Sequence, residues 1–311
     1  MADFFRLVSR HARACLVIGL ATGLLFPTLA KWLAPWLPVM VAALLTITAL
    51  RIGHRAARGA VRDLRWGLTA IALLQLILPL ACLGVLHVLG LAQTPAAFAL
   101  VLVTAAPAIS GSTNLALLLG LDAGRMMQIM VLGTAVFPIT ALPILLLFPQ
   151  MGTPSDVLCS AGLVLLVILA ATVAGFALRA KFYPAPSAEQ VQSLDGASVL
   201  AFCVIVIALM APLNGALRTA PLQVVLWAVL AFSISYGLQT ATLLSLRKTR
   251  LHAVAGPLAI GAGNRNVALF LVALPPDALA PILIFIGCWQ LPMYLTPILL
   301  PPLYRKALHD G

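Results

Sequence analysis

Charge is scarce in this chain. Only 9% of its 311 residues are Asp, Glu, Lys or Arg, where a soluble globular domain carries roughly 25%. Acid is scarcer than base, with eight Asp and Glu against 19 Lys and Arg. Read along the sequence, Asp3, Asp63, Asp122, Asp156, Glu189, Asp195, Asp277 and Asp310 all fall at termini or between apolar runs. That placement argues against a carboxylate at membrane depth, the usual proton carrier or cation ligand. Cys15, Cys82, Cys159, Cys203 and Cys288 lie in apolar runs with no CxxC and no metal-type spacing, so they are read as small buried hydrophobes. No nucleophile with a base, no carboxylate pair and no metal cluster falls at one depth, so an enzyme is not expected. Nor is any cofactor.

Apolar residues dominate instead, at 62%, with a mean hydropathy of +1.10. The chain reads as an all-α integral membrane protein forming a single transmembrane domain over 1–311. A crossing helix needs ~20 mostly apolar residues. Ten segments qualify: 14–33, 36–53, 66–91, 95–120, 126–148, 157–178, 197–217, 221–246, 253–274 and 278–304. The first is read as a retained helix, not a cleaved leader. With the N-terminus inside, one face collects Arg6, Arg10, Arg13, Arg51, Arg55, Arg58, Arg62, Arg65, Arg125, Arg179, Lys181, Arg247, Lys248, Arg250, Arg305 and Lys306. The other face holds Lys31 and Arg218, and only Arg265 falls inside a segment. A split of 16 to 2 is the positive-inside pattern. It predicts both termini in the cytoplasm and explains the net charge of +11 without a nucleic-acid partner, while the absence of a long targeting segment fits a bacterial inner membrane.

The polar stretch Arg179–Gly196 is read as a loop joining two five-helix halves, with the division at 182/183. The halves look alike. Pro138-Ile-Thr-Ala-Leu-Pro143 in the fifth segment matches Pro292-Met-Tyr-Leu-Thr-Pro297 in the tenth, with the same proline spacing at an offset of 154. Pro107 to Asn114 in the fourth matches Pro257 to Asn264 in the ninth. Five is an odd number, so the second copy enters from the opposite side and the repeat is inverted. Interrupted helices at corresponding places in inverted halves point to a transporter's binding site.

The chemistry concentrates there. Gly261, Gly263, Asn264, Arg265 and Asn266 form one cluster, and Ser110, Gly111, Ser112, Thr113 and Asn114 the other. Small residues alone suit helix packing. An arginine at depth costs ~3 kcal/mol on insertion scales and marks function by default. Arg265 has three readings: a clamp for a carboxylate or sulfate, a fixed internal cation held by exposed carbonyls and asparagine oxygens, or a snorkelling side chain. Gln75, four residues before Pro79, is a further ligand candidate. Gln239 and Gln290 are read first as helix-to-helix hydrogen bonds.

On Pro107–Asn114, Gly256–Asn266 and Gln75, and over essentially its whole length, the chain resembles the bile acid:sodium symporter (BASS) superfamily. That resemblance implies panel and core domains, helices 4 and 9 broken and crossing, alternating access, and small organic anions as substrates. It also implies sodium, with Thr113, Asn114 and Gln75 as matching ligands. Other positions depart from the family pattern: Ala259 and Gly263 stand for a glutamate and a glutamine, Met127 and Val131 fall where hydroxyls occur, and Arg265 replaces a serine-like residue. The expected function is therefore secondary transport of small organic anions, with arginine substituting for a cation. A sodium-coupled symporter of bile acids or keto acids is the alternative, and a non-transporting membrane sensor or scaffold is the next.

Overall fold

The computed structural model describes residues 2–60, 63–148, 151–272 and 274–309. Arg62 and Asp310 lie outside them, as do the side chains of Arg13, Arg55 and Arg58. Nearly all of the described chain is helical. The only β-type pairing among the described residues is an isolated antiparallel bridge between Ala108 and Arg265. Seven stretches are long and apolar enough to cross a membrane: Pro27–His54, Leu64–Val88, Ala123–Leu145, Pro154–Phe182, Ala188–Thr219, Pro221–Leu246 and Pro276–Leu299. Leu158, Leu166, Leu169 and Val173 on one of them, and Leu222, Val225, Leu226 and Val229 on another, are exposed. Apolar faces of that extent suit lipid, and this is the build of an integral membrane protein.

The three other expected segments are interrupted. The amphipathic α1 (Ala2–Arg10) leads into α2 (Ala12–Leu25), which stops at Phe26. Pro27 opens α3 (Pro27–Leu33) in the first turn, where its missing N–H leaves no bond unmade. A 3-10 turn, Ala34–Trp36, carries the chain onward into α4 (Leu37–Ala60). The break expected at 34–35 therefore lies at Phe26, and Lys31 is helical. α4 itself bends at Gly53, whose φ of 71° is open to glycine. The bend removes helical donors from the carbonyls before it. Arg179 supplies replacements, donating to Leu50 O at 3.0 Å and Arg51 O at 3.1 Å.

Next come α5 (Leu64–Ala72), a π-turn at Leu73–Ile77 and α6 (Leu78–Val88). The fourth segment is split into α7 (Pro95–Ala105) and α8 (Ser112–Leu118). α9 (Ala123–Leu145) and α10 (Pro154–Phe182) follow. The polar stretch expected as a loop over 179–196 is mostly helix. α10 runs to Phe182, and α11 (Ala188–Leu209) starts at a capping box in which Gln190 N donates to Ser187 Oγ and Ser187 N to Gln190 Oε1. Only 183–187 remains as the connection, and Asp195 sits inside a helix. α10, the sixth of the ten expected segments, precedes this connection, so a division at 182/183 leaves six of those segments before it and four after. The chain finishes with α12 (Ala211–Thr219), α13 (Pro221–Leu246), α14 (His252–Gly263), a 3-10 turn at Val267–Val272, α15 (Pro276–Leu279), α16 (Leu283–Leu299) and α17 (Pro301–His309).

Two groups of helices emerge. α1 to α4 pack with α10 and α11, while α5 to α9 pack with α13, α14, α16 and α17. α2 runs parallel to α11 and α12: Cys203 Sγ meets Cys15 O at 2.9 Å, and further along both Asn214 Nδ2 donates to Gly23 O at 2.8 Å. α4 runs parallel to α10 in the same way, with Gly175 against Thr46 and Ala49 and Arg179 against residues further on. A Cβ at Gly175 would lie 2.6 Å from Thr46 O, whereas one at Gly162 of the same helix meets nothing within 4 Å. Gly175→Ala is therefore expected to lower the melting temperature in detergent, by an overpacking cost of ~1–3 kcal/mol. Gly162→Ala is expected not to, and equal melting of the two variants would contradict this packing.

Candidate functional site

The crossing of two interrupted helices follows from local chemistry. Pro107 disfavours helix at the residue before it, and Ala106 is extended, with φ −61° and ψ 150°. α14 ends at Gly263, with Asn264 non-helical. The two freed stretches pair: Ile109 N donates to Asn264 O at 2.9 Å and Asn266 N to Pro107 O at 2.8 Å. These bonds satisfy part of the opened backbone and leave carbonyls over.

Arg265 takes three of them. Its Nε donates to Ala262 O at 2.9 Å, its Nη1 to Ala106 O at 3.0 Å and its Nη2 to Leu74 O at 2.9 Å. Each carbonyl is free for a stated reason. In a continuous helix Asn266 N would bond Ala262 O, but it is committed to Pro107 O. Ala106 ends its helix. In the π-turn Leu78 N bonds Leu73 O, not Leu74 O. Two of the three mark the C-terminal ends of α7 and α14, where the helix dipole favours a cation. Arg265 is 1% exposed, and its own carbonyl accepts from Trp289 Nε1 at 3.1 Å. Hydrogen bonds to a charged group contribute about 1.5–3 kcal/mol each, enough together to offset an insertion cost of ~3 kcal/mol. The side chain does not snorkel.

The other candidates are divided among several surroundings. Asn264 Oδ1 accepts from Thr296 Oγ1 at 3.2 Å. Asn264, Ser110 and Asn114 line a cavity of about 120 Å³ together with Thr48, Arg51 and Tyr294. Asn266 lines a separate space of about 10 Å³ with Arg265 and Gln290. Thr113 Oγ1 faces Met130 Sδ at 3.9 Å, and the Ser112 hydroxyl is buried with no partner among the described residues. Gln75 turns towards α9, where its Oε1 accepts from Thr140 Oγ1 at 3.1 Å. Gly263 is pressed against α13: Ser235 Oγ donates to its carbonyl at 2.8 Å, and a Cβ there would collide with Ser235 O. Gly261 packs against Ile129 and Leu74.

Both cavities lie between the two helix groups, on successive levels. The larger touches Thr48 and Arg51 of α4 and Ser198 to Phe202 of α11; the smaller touches Val41 and Leu44 of α4 and Ile205 and Leu209 of α11. Ile109, Phe202 and Met293 border both. Along α4 the two levels are about 10 Å apart at 1.5 Å per residue.

Arg51, which lines the larger cavity, and its ion-pair partner Asp195 were not among the candidates read from sequence. Arg51 Nη2 donates to Asn114 Oδ1 at 2.6 Å, and its Nε is ion-paired with Asp195. Arg51 looked like a surface charge because it ends an apolar run. Asp195 looked like a loop acid because its neighbours are polar. The Ser187-x-x-Gln190 signature, read as a helix start, would have placed it about two turns inside α11.

No family model matches the chain, and no curated protein sequence matches it.

Arg265→Gln is expected to leave carbonyls unsatisfied in a buried site and to lower the melting temperature in detergent. Arg265→Lys keeps the charge without the fork and should melt between Gln and wild type. Unchanged melting of the Gln variant would show that the three bonds do not hold the crossing together.

Proposed function

We propose that the protein is a secondary carrier of small organic anions, built on the BASS plan, in which Arg265 replaces a bound cation. The observation that carries this reading is the guanidinium held by three carbonyls at the crossing. A carrier whose crossing helices gather carbonyl oxygens needs positive charge there, and here the chain supplies its own.

Several features support the ten-segment inverted plan. Exchanging the halves converts the parallel pair α2–α11 into the parallel pair α10–α4. In the first half a buried glutamine of the third segment, Gln75, bonds Thr140 of the fifth. In the second half Gln239 of the eighth bonds Thr296 of the tenth, at 3.4 Å. The two helix groups correspond to panel and core, and their unequal cavities suit alternating access, with one side open and the other closed. With the N-terminus in the cytoplasm, the larger cavity faces inward.

Sodium does not fit the residues present. Of its expected ligands, Asn114 Oδ1 is taken by Arg51, Gln75 Oε1 by Thr140, and Thr113 faces a thioether. Two unit charges at 4 Å repel by about 4 kcal/mol at an effective dielectric of 20, so Arg265 also opposes a cation beside it. Transport is then uniport or exchange of anions.

Uptake of labelled 2-oxo carboxylates into proteoliposomes is expected to run at the same rate in sodium and in potassium buffers. A requirement for sodium would sink the built-in cation. Absence of uptake for every anion tried would favour a sensor or scaffold.

A further inference from the structure

The cavity of about 120 Å³ has a charged edge that the anion-carrier reading does not use. Its walls are mostly apolar: Leu16, Val199, Phe202, Met293 and Pro297. Arg51 is the one cation among its lining residues. That side chain is 15% exposed and its partner Asp195 is 20% exposed, so this is an ion pair well withdrawn from solvent. Such pairs are poor sources of stability, because the desolvation penalty rivals the attraction. Its persistence at a cavity edge calls for another role.

The geometry supplies one. Arg51 and Asp195 sit on α4 and α11, both in the first helix group, whereas Asn114, which accepts from Arg51 Nη2, sits on α8 in the second. The guanidinium thus spans the boundary between the groups. Its Nη1 makes no hydrogen bond to the described residues. Tyr294, nine-tenths buried, lines the same cavity, and its hydroxyl also has no partner among the described residues. Arginine and an unpaired phenol beside an apolar chamber are what a carboxylate with an apolar body requires: a planar fork for the head, a second donor, and a greasy wall for the rest. Asp195 already presents a carboxylate to that fork.

We propose that Arg51, and not Arg265, recognises the carboxylate of the ligand, and that Asp195 is an internal carboxylate which the ligand replaces. Arg265 has each of its three nitrogens engaged by a backbone carbonyl, whereas Arg51 holds a partner of the same chemistry as the ligand. Exchange of one carboxylate for another keeps the guanidinium neutralised throughout. It also loosens the tie between α4 and α11 while leaving Arg51 in contact with Asn114 of the other group.

This inference rests on the anion-carrier reading, and binding separates the two. Purified full-length protein would be titrated with potassium benzoate and potassium 4-methyl-2-oxopentanoate, with benzamide as the uncharged control, following both equilibrium binding and thermal unfolding. Asp195→Asn is expected to bind at least one carboxylate about tenfold more tightly than wild type and to leave benzamide binding unchanged. The double variant Arg51→Gln/Asp195→Asn carries no unpaired buried charge; it is expected to fold and to lose carboxylate binding. Carboxylate affinity in the double variant equal to wild type would overturn the assignment, as would an Asp195→Asn variant that binds no more tightly or not at all. Binding with this pattern but without liposome uptake would refute the carrier and keep Arg51. Uptake with an affinity indifferent to Arg51 would do the reverse.

Discussion

Three carbonyl oxygens and one guanidinium hold the crossing together. Each oxygen comes from a place where a helix has been opened: the π-turn before Pro79, the end of α7 before Pro107, and the end of α14 after Gly263. In lipid, an opened backbone without partners costs several kcal/mol per group. A buried arginine without partners is costlier still. Neither defect is tolerable by itself, and each is the remedy for the other. The rest of the second helix group is arranged so that the two coincide.

That arrangement extends outward through polar contacts. Asn264, beside Arg265, is tied by Thr296 of α16; Gly263, on its other side, is tied by Ser235 of α13. Gln239 of α13 lies between them and accepts from Tyr304 of α17 at 2.8 Å. Gly263 lets α13 approach closely enough for this network to close. The first helix group is held by close backbone contact at Gly175 and Gly196, by Arg179 tying α10 to α4 and by Arg51 tying α4 to α11. The cavities lie where the two groups meet.

Much of this was legible in the residue order. Run length located the apolar segments, and Pro107 with Gly261–Asn266 located the crossing. Arg265 stood out because no surface could claim it. What held it was not legible, since its partners are main-chain oxygens and every residue has one. The first break was misplaced because Pro27, Pro35 and Pro38 can each begin a helical turn, and only packing selects Phe26 as the bend. Arg51 and Asp195 were hidden for opposite reasons. One closes an apolar run and resembles a surface anchor. The other lies in a polar run that turns out to be the first two turns of α11, exposed at its start, with one acid withdrawn from solvent.

The bonds of Arg265 also reach far along the chain: 159 residues back to Ala106 and 191 back to Leu74. At about 5–20 residues per second of synthesis, the ribosome needs roughly 8–30 s to travel from Ala106 to the arginine that completes it. For that interval the early helices sit in or beside the bilayer with two carbonyls open. The nascent first half is therefore an unfinished surface, one that must be shielded by water, by lipid headgroups or by the insertion machinery until α14 arrives. The crossing cannot be completed before Arg265 has followed α14 out of the ribosome, however early the first helices emerge.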